Sequence, residues 1–133
     1  MGSSSASTRP NRRLLLPWQF SGAWRFPSGS PESSIDWSLQ ANTFGADHFG
    51  IKVYPPFSLS GGTTPDGWHC EIRDLTSSHD MWFCDGSVLA PGATANGTIA
   101  LSQPGTNGMV VDAIAPRDDG SPYDMGYALR HEP

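Results

Sequence analysis

This sequence predicts an all-β fold, an antiparallel β-sandwich or partly closed β-barrel of about eight short strands. Gly (15) and Pro (12) are too frequent for a helical protein and read as many turns between short strands. Apolar residues recur with period two along several segments, the signature of half-buried strands. No segment sustains an i, i+3, i+4, i+7 pattern over about ten residues. A chain of 133 residues suits one domain, which at this size buries about two-thirds of its unfolded surface.

Residues 1–16 are Ser-rich and then basic, with Arg9, Arg12 and Arg13 together and no periodicity, and are expected to be a mobile arm. The domain is expected over 17–133. From Trp18 the period is two, with Trp18, Phe20, Gly22, Trp24 and Phe26 on one side and Gln19, Ser21, Ala23 and Arg25 on the other. Pro27-Ser28-Gly29-Ser30-Pro31 ends this strand. In the second, Ile35, Trp37, Leu39 and Ala41 alternate with Asp36, Ser38 and Gln40. The third runs through Phe49, Ile51 and Val53 to Pro55-Pro56, followed by a short edge piece at Phe57-Ser58-Leu59. After a loop from Gly61 to Gly67, Trp68, Cys70 and Ile72 share one face of a strand, and Trp82 and Cys84 one face of the next. Gly97 to Ser102 and Met109 to Ile114, joined by Pro104-Gly105-Thr106-Asn107-Gly108, read as a hairpin. A last strand alternates from Tyr123 to Arg130. All five tryptophans fall on apolar faces and are expected in the core, whereas Tyr54, Tyr123 and Tyr127 are less committed.

Folding the chain back at Ser77 sets Cys70 opposite Cys84 and Ile72 opposite Trp82, an arrangement that meets disulfide geometry. The bond would close a loop of about 15 residues and contribute about 3 kcal/mol. Two buried free thiols are one alternative. A zinc site from Cys70, Cys84, His69 and His79 is another. It is disfavoured because His69 points to the face opposite Cys70 and the close ligand spacing of short zinc motifs is missing. A disulfide implies an oxidising compartment. Asn96-Gly97-Thr98, in a Gly/Ala/Thr-rich loop, is an N-glycosylation acceptor and agrees. Together they favour secretion, with Met1-Gly2-Ser3-Ser4-Ser5 as a tag remnant or the start of a mature form whose leader is gone.

The net charge of −5, with three of the eight basic residues in the arm, argues against nucleic-acid binding. No stretch approaches the ~18–20 apolar residues of a membrane span. Nucleophile-elbow, zinc-protease, phosphate-loop and dinucleotide motifs are missing, so neither catalytic residues nor a cofactor nor a metal is expected. His48 and His79 read as solvated turn residues and His131 as a frayed terminus. Asp118, Asp119 and Asp124 are the densest acidic group, but Arg117-Asp118-Asp119-Gly120-Ser121-Pro122 is ordinary turn chemistry.

The order Trp18-Gln19-Phe20-Ser21-Gly22, a turn, Ile35-Asp36-Trp37-Ser38-Leu39, the Cys70/Cys84 pair and a closing Ser121-Pro122-Tyr123 resembles small secreted fungal effector or elicitor proteins. These are related in style to the Alt a 1 β-barrel group. Such proteins carry further cysteines near the first two strands, and this chain has none there. The resemblance covers residues 18–133. It implies a secreted, non-enzymatic β protein that acts on a host target or a cell wall, with no catalytic residues to carry over. The expected function is therefore binding of a protein or glycan through loops on a rigid scaffold. Those loops are Gly61 to Gly67, Gly92 to Asn96 and Arg117 to Tyr123, with Asp66, Trp68, Arg117, Asp118, Asp119 and Tyr123 as candidate contacts. A lectin-like carbohydrate-binding module is the alternative, and a small hydrolase pairing a histidine with a nearby Asp is a further one.

Overall fold

The computed structural model describes residues 19–76, 79–116 and 123–133. In chain order its strands are β1 (Phe20–Arg25), β2 (Ser34–Ala41), β3 (Ala46–Val53), β4 (Leu59–Gly62), β5 (His69–Thr76), β6 (His79–Leu89), β7 (Thr94–Leu101), β8 (Val111–Pro116), β9 (Asp124–Ala128) and β10 (Arg130–His131). There is no helix among the described residues. One five-stranded sheet has the order β9-β8-β3-β6-β5 and the other β10-β1-β2-β7-β4. They face each other as a sandwich and do not close into a barrel. Every pairing is antiparallel except the short parallel contact of β10 with β1.

The period-two reading locates the core. Phe20, Trp24 and Phe26 from the first segment are buried, as are Ile35, Trp37 and Leu39 from β2 and Phe49, Ile51 and Val53 from β3. Burying each such side chain contributes roughly 1.5–3 kcal/mol. Trp24, Trp37 and Trp82 lie in the core as expected, while Trp68 is only partly buried against it. Trp18 and the arm lie outside the described residues, as do the turn at Ser77 and the stretch Arg117 to Pro122.

Several expectations are corrected. Residues 94–101 and 111–116 do not form a hairpin, because β7 lies between β2 and β4 in one sheet and β8 between β3 and β9 in the other. The connecting residues 102–110 cross the sandwich, and Gly105 and Met109 are buried on the way. The last strand is also two strands. It changes sheet at buried Leu129, so that β9 pairs with β8 and β10 with β1. His131 is consequently no frayed terminus: its ring stacks on Trp24 at 4.0 Å and 7°. The edge piece lies at Leu59–Gly62 instead of residues 57–59, so Gly61 and Gly62 belong to a strand and the loop starts at Thr63. Asn96 sits within β7, not in a loop.

The cysteine segment behaves as read. Cys70 opposes Cys84 and Ile72 opposes Trp82 across β5 and β6, and the two cysteines form a disulfide with Cα atoms 4.1 Å apart. This pairing overturns the zinc and free-thiol alternatives. Ile72, however, is 41% exposed despite its inward direction. The facing sheet ends at β4, where Gly62 lies against Trp82, one strand short of β5.

Candidate functional site

Thr63 anchors the segment from which the candidate site is built. Its N–H donates to Thr98 O (2.8 Å), its Oγ1 accepts from Thr98 N–H (2.8 Å), and its carbonyl accepts from Trp82 Nε1–H (3.0 Å). The chain then runs alongside β7 and turns tightly at Pro65-Asp66-Gly67-Trp68. Trp68 N–H donates to Pro65 O (3.0 Å), and Gly67 takes φ +86°, the left-handed conformation a type II turn needs at that position. The turn aims Asp66 at solvent and sets the Trp68 ring edge-on to Phe49, with centroids 4.9 Å apart.

The result is a groove of about 400 Å³ between this segment, the end of β6 and the outer edge of β7. The lining is mostly polar, from Thr64, Asp66, Thr94 and Asn96, with a smaller apolar part beside Pro65 and Trp68. Alternation along β7 buries Ala95 and turns Thr94 and Asn96 outward. Gly97, between Asn96 and Thr98, is required by packing: a Cβ there would lie 2.8 Å from Thr63 Oγ1 and 3.1 Å from Trp37 Cζ2. Thr98 Oγ1–H donates to Asp36 Oδ1 (3.0 Å).

The structure thus brings together Asp66, Trp68 and Asn96, residues that reading the loops singly did not connect. It leaves Tyr123 apart. That side chain is 75% exposed beside β9, at the opposite lateral edge of its sheet from β5. Arg117, Asp118 and Asp119 lie outside the described residues. Two other surface hollows differ in character. One of about 340 Å³ lies at the β1–β9 seam over Phe20 and Tyr127, and another of about 440 Å³ is lined by Tyr54, Pro55, Pro56 and Phe57 at the other end of the sandwich. Neither combines an aromatic ring with a carboxylate and an amide.

His48 was read as a solvated turn residue, and its place is different. It lies in β3, half-buried, where the register with β6 shifts between Ala46 and His48. Its Nδ1 meets Asp47 Oδ1 at 2.8 Å and its Nε2 meets Asp124 Oδ1 at 2.8 Å. Burial depresses the imidazole pKa, but the hydrogen bonds and charges of Asp124 and Asp47 outweigh it and hold the pKa above the ordinary value. The adjacent Asp47-His48 was the only local signal; the Asp124 partner comes from 76 residues away. Near the other end, burial and then a 2.6 Å hydrogen bond to Asp112 push the Tyr54 hydroxyl up to about 12. Among the described residues no three His, Cys, Asp or Glu side chains converge to hold a metal ion, and no helix is long and apolar enough to cross a membrane.

No protein-family model matches this chain and no curated protein matches it. Among solved structures, an inactive mutant of the GH20 exo-β-N-acetylglucosaminidase from Vibrio harveyi aligns over 87% of this chain at 13% identity with a TM-score of 0.49. This chain spans 18% of that enzyme's length. A cohesin module from a family 33 glycoside hydrolase of Clostridium perfringens ATCC13124 aligns over 87% of this chain and 100% of its own at 8% identity, with a TM-score of 0.41. Neither likeness transfers a functional residue to this chain.

Proposed function

We propose that this chain is a secreted, non-enzymatic binding protein, effector- or elicitor-like, whose groove at Asp66 and Trp68 takes a glycan of a host or cell wall. The groove carries this reading. Its lining is mostly polar, and the carboxylate of Asp66 and the hydroxyls of Thr64 and Thr94 suit a sugar's ring hydroxyls, with Trp68 adding aromatic surface beside them. Its volume falls within the range of small-ligand pockets, roughly 300–1,000 Å³. The anchoring of Thr63 by three hydrogen bonds makes the site preformed, which lowers the ordering cost of binding. The Cys70–Cys84 bond supports an oxidising, extracellular setting. Both ring nitrogens of His48 are engaged by carboxylates, which counts against that histidine as a hydrolase's base.

The experiment is a glycan-array screen followed by calorimetry, with Trp68 fluorescence as the local reporter. Asp66→Ala is expected to weaken the selected glycan about tenfold or more, the loss of one charge-assisted hydrogen bond. Because Trp68 also packs on Phe49, Trp68→Phe is the milder variant, and it should weaken binding while the thermal transition stays close to wild type. Silence across the array, or an affinity that ignores both substitutions, would remove the groove as the binding site.

A further inference from the structure

We propose that the free edge of β5 is a self-association surface, on which a second copy of this chain pairs its own β5 antiparallel about a two-fold axis at Ile72. Three independent features of the edge meet in that one arrangement.

The first is the backbone. Among the described residues β5 is the last strand of its sheet, with β6 on one flank and no strand paired on the other. Cys70 and Cys84 oppose each other with Cα atoms 4.1 Å apart, the narrow type of antiparallel pair whose N–H and C=O groups point away from one another. The backbone groups of Cys70, Ile72 and Asp74 therefore aim at the open flank. No hydrogen bond from elsewhere in the described chain meets those of Cys70 or Ile72. In the proposed pair, Ile72 exchanges two hydrogen bonds with the partner's Ile72, and Cys70 does so with the partner's Asp74.

The second is the exposed side chain. Ile72 projects from the inner face beyond the edge of the facing sheet and is 41% exposed. On the two-fold axis it meets the partner's Ile72, and both lose water contact.

The third is charge, and it selects the register. Glu71 and Arg73 stand on the outer face of β5, joined by a 3.0 Å ion pair, with the Arg73 guanidinium held 3.8 Å above the Phe83 ring. An axis at Ile72 sets Glu71 directly opposite the partner's Arg73, and Arg73 opposite the partner's Glu71. Moving the axis to Glu71 opposes Glu71 to the partner's Glu71, and moving it to Arg73 opposes two arginines. Both are repulsive. An axis at Cys70 opposes His69 and Glu71 but overlaps only the first turn of the strand. Edge strands often carry charge to block pairing. Of the three registers centred on Glu71, Ile72 and Arg73, the alternating signs oppose two, and in the one at Ile72 they attract.

Sedimentation equilibrium of the full disulfide-bonded chain tests this. The wild type is expected to rise from the 14.3 kDa monomer toward twice that mass with concentration, and to fall back in high salt as the ion pairs are screened. Glu71→Arg and Arg73→Glu should each weaken the dimer about tenfold or more, by setting like charges together twice. An equimolar mixture of the two variants should associate again, because each then meets the opposite sign. That recovery also shows that both variants are folded. Ile72→Pro should abolish association with the fold and disulfide intact, since its N–H faces outward and an edge tolerates proline. A wild type that stays monomeric, a dimer unaffected by either charge reversal, or a mixture that fails to reassociate would overturn the proposal. Trp68 of the groove directly precedes β5, so glycan binding is measured at concentrations where the chain is a monomer and self-association without glycan, and each reading then stands or falls by itself.

Discussion

Two stretches of this chain read alike as strand, turn, strand, yet fold differently. His69–Leu89 closes on itself as β5 and β6, side by side in one sheet with Cys70–Cys84 between them. Thr94–Pro116 opens out, sending β7 into one sheet and β8 into the other. The connection decides. Only residues 77 and 78 separate Thr76 from His79, and a two-residue link joins antiparallel neighbours. Residues 102–110 separate β7 from β8, a span long enough to cross the ~10 Å between facing sheets. That link also carries buried residues of its own, Gly105 and Met109, with Gly105 close against both Met109 and Phe26. A connection with its own buried contacts belongs to the core, whatever its Pro and Gly content says about turns.

The hairpin should break first and hardest. Cys70→Ala with Cys84→Ala releases a loop of about 15 residues and is expected to cost about 3 kcal/mol, seen as a lower urea midpoint with a similar slope. An unchanged midpoint would mean the staple constrains nothing. On the crossover, Gly105→Val comes next. A Cβ there would sit 2.8 Å from Met109 Sδ and 3.0 Å from the Phe26 ring, so overpacking should cost about 1–3 kcal/mol. Its control is Gly108→Ala, where a Cβ meets open space, and thermal melts should place that variant at or slightly above wild type. Equal losses at both positions would show that the link is an ordinary surface loop. Lengthening it by Gly-Gly between Asn107 and Gly108 should cost less than about 1 kcal/mol, because loop closure grows slowly with length.

The same contrast explains what was legible. Alternation named the inward residues of β1, β2 and β3, and it set the register Cys70–Cys84 and Ile72–Trp82 correctly, because both depend on near neighbours in the chain. Which strand lies beside which does not follow from a period of two. So the crossing at Gly105, the sheet change at Leu129 and the stacking of His131 on Trp24 were missed. The candidate groove failed to appear for a related reason. Asp66 and Trp68 meet Asn96 only because Thr63 is fastened to Thr98, a contact across 35 residues. The gathering of Asp47 and Asp124 around His48 is likewise a product of sheet order.

That cluster provides the finest probe of the comparison, because it joins the crossover's far strands to the hairpin strand β6. His48 on β3 reaches past the end of β8 to Asp124, the first residue of β9. Both ring nitrogens face carboxylate oxygens, so both act as donors only when the ring is protonated. On β6 the register partner of His48 is Asp85, and the Phe83 ring packs alongside at 5.7 Å. Burial lowers the His48 pKa, but Asp124 and Asp47 raise it further than burial lowers it. A group whose folded-state pKa is raised stabilises fully below its unfolded value, about 6.5 for histidine, and loses that stabilisation as pH rises through the folded value. The Tm difference between wild type and His48→Gln should therefore be widest near or below about pH 6 and close as pH climbs past the folded-state pKa. In the Cys70→Ala/Cys84→Ala background the difference should narrow, since His48 packs on Phe83 beside Cys84 and sites with shared neighbours do not simply add. A difference that is flat with pH would mean His48 is held by packing on Phe83 alone, and the β8–β9 end of the crossover would then owe nothing to charge.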